Sequence, residues 1–135
     1  MNILVSKFFV ITIAIWLIFM VIAIVNAIIR NGVYKPIVGD LVAHQISSIT
    51  FISAIFVVTF LALKISNIQL NDMESIFMGA VWLVSTILFE FIAGHYIFGN
   101  PWENLIRDYN LLEGRIWSLV LLTILIAPYI TNKIQ

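Results

Sequence analysis

The stretch Phe8–Val25, FFVITIAIWLIFMVIAIV, decides how this chain folds. Its 18 residues contain no charge, proline or glycine, and ~18 to 20 such residues let a helix cross a hydrocarbon layer ~30 Å thick. Lys7 before it and Val25-Asn26-Ala27 at its end imitate a signal peptide with a small-residue cleavage site. A signal core, however, spans only ~7 to 15 residues. The stretch is therefore expected to be a first membrane helix rather than a leader.

The chain beyond it has the same character. Hydrophobic residues make up 62% and charged residues 10%, with a mean hydropathy of +1.09, whereas a soluble domain carries about 25% charged residues. Seven basic residues balance seven acidic ones, which leaves no basic stripe for nucleic acid. The absence of cysteine excludes disulfides, thiolate nucleophiles, iron–sulfur clusters and zinc–thiolate sites. There is no internal repeat, low-complexity tract or linker, so residues 1–135 are expected to form a single all-α domain. The expected class is a polytopic membrane protein, a bundle of four transmembrane helices that is multi-pass in the cell membrane.

Punctuation residues place the helices at about 3–30, 40–65, 72–98 and 111–127. Gly32 and Pro36 read as a stop for the first, and Asp40 as an N-cap for the second. Asn71 and Glu74 have the spacing of a capping box at the start of the third. Asn100-Pro101-Trp102-Glu103 has the same spacing, with proline at the first helical position. It opens a short amphipathic helix at about 101–109, with Trp102, Leu105, Ile106 and Tyr109 on one side, expected to lie in the membrane interface. Asn110 and Glu113 repeat the capping pattern, so the fourth helix is expected to follow directly and to end before Pro128, with Arg115 one turn inside it.

Four crossings place both termini and the 66–72 connection on one side, with Arg30, His44, His95 and the short helix on the other. Lys7, Lys64 and Lys133 oppose Arg30, Lys35, Arg107 and Arg115. If Arg30 and Arg115 are paired within the bundle, the remaining cations favour cytoplasmic termini.

Chemistry concentrates in Phe89–Trp117, which holds three of the four Glu residues and two of the three Arg residues. Glu90 lies on a small and polar face with Gly79, Trp82, Thr86, Ala93 and Gly94. At that depth an ionisable group is expected to be paired, with Arg30 or Arg115, or to belong to a site. Ala23, Asn26, Ala27 and Arg30 share an inward face of the first helix. Glu103 and Glu113 are explained as capping residues, Glu103 also facing Arg107 at i+4. Asp108 reads as a turn cap or a partner of Arg115. His44 and His95 could share a depth and ligate a haem, although His95 lies about 140° round the helix from Glu90. No spacing indicates a metal centre, no phosphate loop or nucleophile elbow is present, and no cofactor is expected.

Four pieces carry a resemblance: Asn26-x-x-x-Arg30, Ala43-His44-Gln45-Ile46-Ser47, Glu90-Phe91-x-x-Gly94-x-Tyr96 and Asp108-Tyr109-Asn110-Leu111-x-x-Gly114-Arg115-Ile116-Trp117. The set resembles that of small four-helix integral membrane proteins of prokaryotes with no assigned activity. The resemblance implies a bundle with a polar end. The residues themselves point to a pocket or short permeation path lined by Asn26, Arg30, His44, Gln45, Glu90 and Arg115, taking a small polar molecule or ion. A pore would require a homo-oligomer, since four helices enclose little volume. The rival expectations are an enzyme acting on a lipid-derived substrate through Glu90 or a histidine, and a non-catalytic accessory subunit. Binding is favoured over catalysis, and the lipid bilayer is the expected surrounding.

Overall fold

The structure is a computed structural model and describes residues 3–134, with side chains from Ser6 onward. Among the described residues it is all-helical. Helix α1 (Ile3–Ile29) runs through a wide π turn (Arg30–Tyr34) into the short α2 (Lys35–Val38), and α3 (Asp40–Ser66) follows. Helix α4 (Asp72–Ile92) ends in a second π turn (Ala93–Ile97), and then come α5 (Trp102–Arg107), a 3₁₀ turn (Leu111–Glu113) and α6 (Trp117–Ile134). Four helical segments are long and apolar enough to cross a membrane: Ser6–Val38, Asp40–Ser66, Asp72–Ile97 and Trp117–Ile134.

Several boundaries differ from the punctuation. Gly32 and Pro36 do not stop the first helix. The π turn absorbs the mismatch, and Pro36 falls in the first turn of α2, where a missing N–H costs nothing. The break comes at Gly39, whose φ of 89° suits glycine. Gly39 thus takes the cap position, and Asp40 makes no capping bond. The box at Asn71 and Glu74 forms in both directions, at 2.8 and 3.0 Å.

The fourth long helix starts at Trp117, not at 111. Asn110 caps only the 3₁₀ turn, accepting from Leu112 N–H at 3.1 Å, and Gly114 at φ 82° turns the chain away. Pro128 lies inside α6, which continues to Ile134. Its ring is fully buried, and leaving the helix there would strand buried backbone groups without partners.

The long helices pack around one core. Phe19 meets Trp82 edge to face with ring centroids 4.9 Å apart. Trp82 Nε1 donates to Thr12 O at 2.9 Å, and Trp16 Nε1 to Thr86 Oγ1 at 3.1 Å. Ile55, Leu63, Met78, Val120 and Ile124 fill the space around this pair, each fully buried. Helices α4 and α6 touch backbone to backbone: a Cβ on Gly79 would stand 2.0 Å from Leu125 O. The end bearing the α3–α4 connection is closed by Lys7 Nζ to Ser66 O at 3.0 Å, Asn132 Nδ2 to Leu70 O at 2.7 Å and Lys133 to Asp72 at 2.9 Å. The other end is open in construction and polar.

Candidate functional site

At that polar end the ends of α1, α3 and α4 stand apart, and the segment between α4 and α6 folds over the gap. They line a partly open cavity of about 190 Å³. Helix α1 contributes Met20, Ala23, Asn26 and Ala27, with Arg30 from the π turn; α3 contributes His44, Ser47, Ser48 and Phe51. Thr86, Phe89, Glu90 and Gly94 line it from α4 and its π turn. Asn100, Leu105, Asp108 and Trp117 complete the cover. The cover is seated by Leu105, which is buried on the open backbone of Gly94: a Cβ there would lie 3.1 Å from Leu105 Cδ2.

Of the six residues expected to line a pocket, Asn26, Arg30, His44 and Glu90 do so, and Gln45 and Arg115 do not. Gln45 reaches across to Gly114, donating to its carbonyl at 3.0 Å. Arg115 precedes α6 rather than lying within it. Its guanidinium is buried, hydrogen-bonded to Asp40 and 3.6 Å from Asp108. Gln45 and Arg115 thus hold the cover from behind.

Glu90 departs furthest from expectation. Among the described residues it forms no ion pair with Arg30, Arg115 or any other cation. Its Oε2 accepts from Tyr109 O–H at 2.6 Å and from Trp117 Nε1–H at 2.7 Å. Its Oε1 has no hydrogen-bond partner among the described residues. The pairing with arginine fails because Arg115 is taken by the two aspartates and Arg30 lies on the α1–α3 side, where Nη1 donates to Ser47 Oγ at 3.3 Å. Asn26 Nδ2 meets the carbonyl of that same serine at 2.8 Å. Burial, then the bond to Glu90, pushes the Tyr109 hydroxyl above its ordinary titration range.

His44 acts as a strut. Its Nε2 accepts from Ile116 N–H at 3.0 Å, and its Nδ1 lies 3.8 Å from Asp108. The linker before α6 is held at two further points, Arg115 N–H to Asn110 O and Trp117 N–H to Asp108 O, both 3.2 Å. His95 lies outside the cavity, stacked on Trp102 at 3.8 Å with Nδ1 2.8 Å from Asn100 O. The two histidines expected at one depth are thus engaged separately. Among the described residues no group of three or more metal-ligating side chains is gathered.

Two capping expectations do not hold. Pro101 is the cap residue of α5 and no side chain caps it, so Asn100 and Glu103 form no box there. Arg107 forms no ion pair with Glu103 and lies 3.9 Å from Asp40. Asp40, read from sequence as a cap, instead gathers Lys35 at 3.2 Å, Arg107 and Arg115. Tyr109, read as an interface aromatic, and Trp117 are the two donors that fix Glu90. Their role had one legible signal, the polar hydrogen each aromatic carries. No protein family, curated protein or solved structure was found to match the chain.

Proposed function

We propose that this is a multi-pass integral membrane protein, a four-helix transmembrane bundle, that binds a small polar molecule in the cavity at its polar end. The single observation that carries the reading is a carboxyl group on a membrane-depth helix facing a cavity with one oxygen left unpartnered. An ionisable group at such depth is costly unless it is protonated, paired or facing water, and among the described residues Glu90 has no ion-pair partner. The exposed flanks of α1, with Val10, Ile13, Leu17, Val21 and Ile28 all outward, suit a lipid surround. Helix α5 lies at the polar end with Trp102 half exposed, as an interfacial segment would.

The plugged centre favours binding over permeation through one chain. Below the cavity the path is filled by Phe19, Trp82 and Ile55, each fully buried, whereas a conducting path needs a continuous polar or wettable lining. A cavity of ~150 Å³ already admits a benzene-sized guest, so the volume suits a molecule of modest size. Cytoplasmic termini remain part of the proposal.

The test is a thermal-shift screen of polar small molecules on the purified protein in lipid nanodiscs, run beside Ala27→Phe, which fills the cavity from α1. A ligand at a hundredfold its Kd stabilises by about 2.7 kcal/mol. The reading expects at least one chemical class to stabilise the native chain and lose its effect in Ala27→Phe. Identical response profiles for the two proteins would overturn it.

A further inference from the structure

Each charged group around the cavity can be balanced against its partners. Asp108 is offset by Arg115 at 3.6 Å, and Asp40 by Lys35, Arg107 and Arg115. Two groups remain. Glu90 has only neutral donors, Tyr109 and Trp117. Arg30 has only neutral acceptors, Asn31 Oδ1 at 3.2 Å and Ser47 Oγ at 3.3 Å. Both line the same cavity, yet they do not form an ion pair with each other. Opposite charges attract more strongly as they are withdrawn from bulk water, and here the two partly buried side chains stand on different helical segments.

We infer that the cavity takes a small zwitterion, its cationic group at Glu90 Oε1 and its anionic group at Arg30. The inference rests on the binding reading above and names the ligand class for that site. Both donors on Glu90 converge on Oε2 and leave Oε1 without a hydrogen-bond partner among the described residues. Phe89 and Trp117 line the cavity as well, and aromatic rings accommodate a cation better than an anion. In the π turn after α1 the Arg30 guanidinium presents several N–H groups, of which Ser47 and Asn31 occupy only two positions. A guanidinium matches a carboxylate or phosphate with paired donors. Met20 and Phe51 line the cavity as well and suit a short apolar chain joining the two ends. A ligand with a single charge would leave one of the two groups uncompensated.

Two sources share this chemistry, a soluble zwitterion and the headgroup of an ethanolamine phospholipid, and the experiment separates them. The protein is placed in nanodiscs made only of phosphatidylglycerol and titrated calorimetrically with ω-amino acids from glycine to 5-aminovalerate. Each is compared with the amine and the carboxylic acid of the same length. The expected result is one chain length at which the amino acid binds at least about tenfold tighter than both singly charged analogues. Arg30→Gln should abolish its advantage over the amine, and Glu90→Gln its advantage over the acid. The comparison in the native chain needs no variant, so a misfolded Glu90→Gln leaves the test intact. Phosphatidylethanolamine added to the nanodiscs displaces the probe if the headgroup is the occupant and leaves it bound if the ligand is soluble. Either outcome accompanies the expected preference.

An amine or an acid that binds as tightly as the amino acid overturns the zwitterion. If that binding is lost in Ala27→Phe, the binding reading survives alone. If no probe binds the folded protein, the zwitterion assignment falls. An unselective polar screen with the same response in Ala27→Phe would remove the pocket itself.

Discussion

Gly79→Ala probes the contact that sets the distance between α4 and α6. The added Cβ would meet Leu125 O at 2.0 Å, Leu125 C at 2.8 Å and Leu125 Cα at 3.2 Å. A carbon–oxygen contact rests at about 3.3 Å, so the two helices must separate by about 1.3 Å. The obstacle is backbone and cannot rotate aside. Opening a seam by ~0.5 to 1 Å already forfeits a quarter to a half of each dispersion contact across it. Around this seam α4 buries Ser75 and Met78, and α6 buries Val120, Leu121 and Ile124. Overpacking costs about 1 to 3 kcal/mol, and a backbone obstacle places this case at the upper end. Alanine returns about 1 kcal/mol of helix propensity, which leaves a net loss of about 2 kcal/mol. Reversible unfolding in mixed micelles would measure it. Gly32→Ala is the matched control, since nothing lies within 4 Å of its Cβ, and should be neutral or slightly stabilising. A Gly79→Ala protein as stable as the native chain would refute the close approach of α4 and α6.

Removing either donor on Glu90 by Tyr109→Phe or Trp117→Phe should cost about 0.5 to 3 kcal/mol, the range that spans hydrogen bonds to neutral and to charged groups. A double-mutant cycle with Glu90→Gln should show coupling, and additive losses would mean that the donors act independently of that carboxyl. Arg115→Gln leaves Asp40 and Asp108 facing each other without their buried cation. It should destabilise more than Lys35→Gln, which breaks an exposed pair worth about 0 to 1 kcal/mol, and equal losses in denaturation would contradict the burial of Arg115. Tyr109 keeps its proton in the folded chain above its ordinary value of 10.0. The folded state therefore binds more protons, and the contribution of Tyr109 is complete below pH 10.0 and lost as pH rises beyond it. The tyrosinate absorbance of the native chain minus that of Tyr109→Phe checks this, and a difference band titrating at or below the ordinary value would exclude it.

Much of the architecture was legible because it depends on local and cumulative properties. The four apolar runs follow from side-chain transfer energies summed over a helix length, and the box at Asn71 and Glu74 depends only on residues three apart. The inward face of Ala23, Asn26, Ala27 and Arg30 follows from helical periodicity alone, and these residues do line the cavity. The sequence also localised the polar end.

What the sequence could not decide were matters in which one local signal competes with distant partners. Proline ends a helix when the chain can leave it cheaply, but Pro128 is buried among neighbours and the helix continues. Asn110 and Glu113 have the spacing of a helix start, yet Gly114 needs a positive φ, and the strut from His44 to Ile116 N–H fixes the linker that follows. The partner of Glu90 was undecidable in the same way. Charge counting favours an arginine, but two aspartates from separate segments claim Arg115, and two aromatic donors from the cover reach Glu90 first. Hydrophobic lengths and caps belong to single segments and are written in the sequence. Which charges meet depends on how segments of different elements are brought together, and only the tertiary structure determines that.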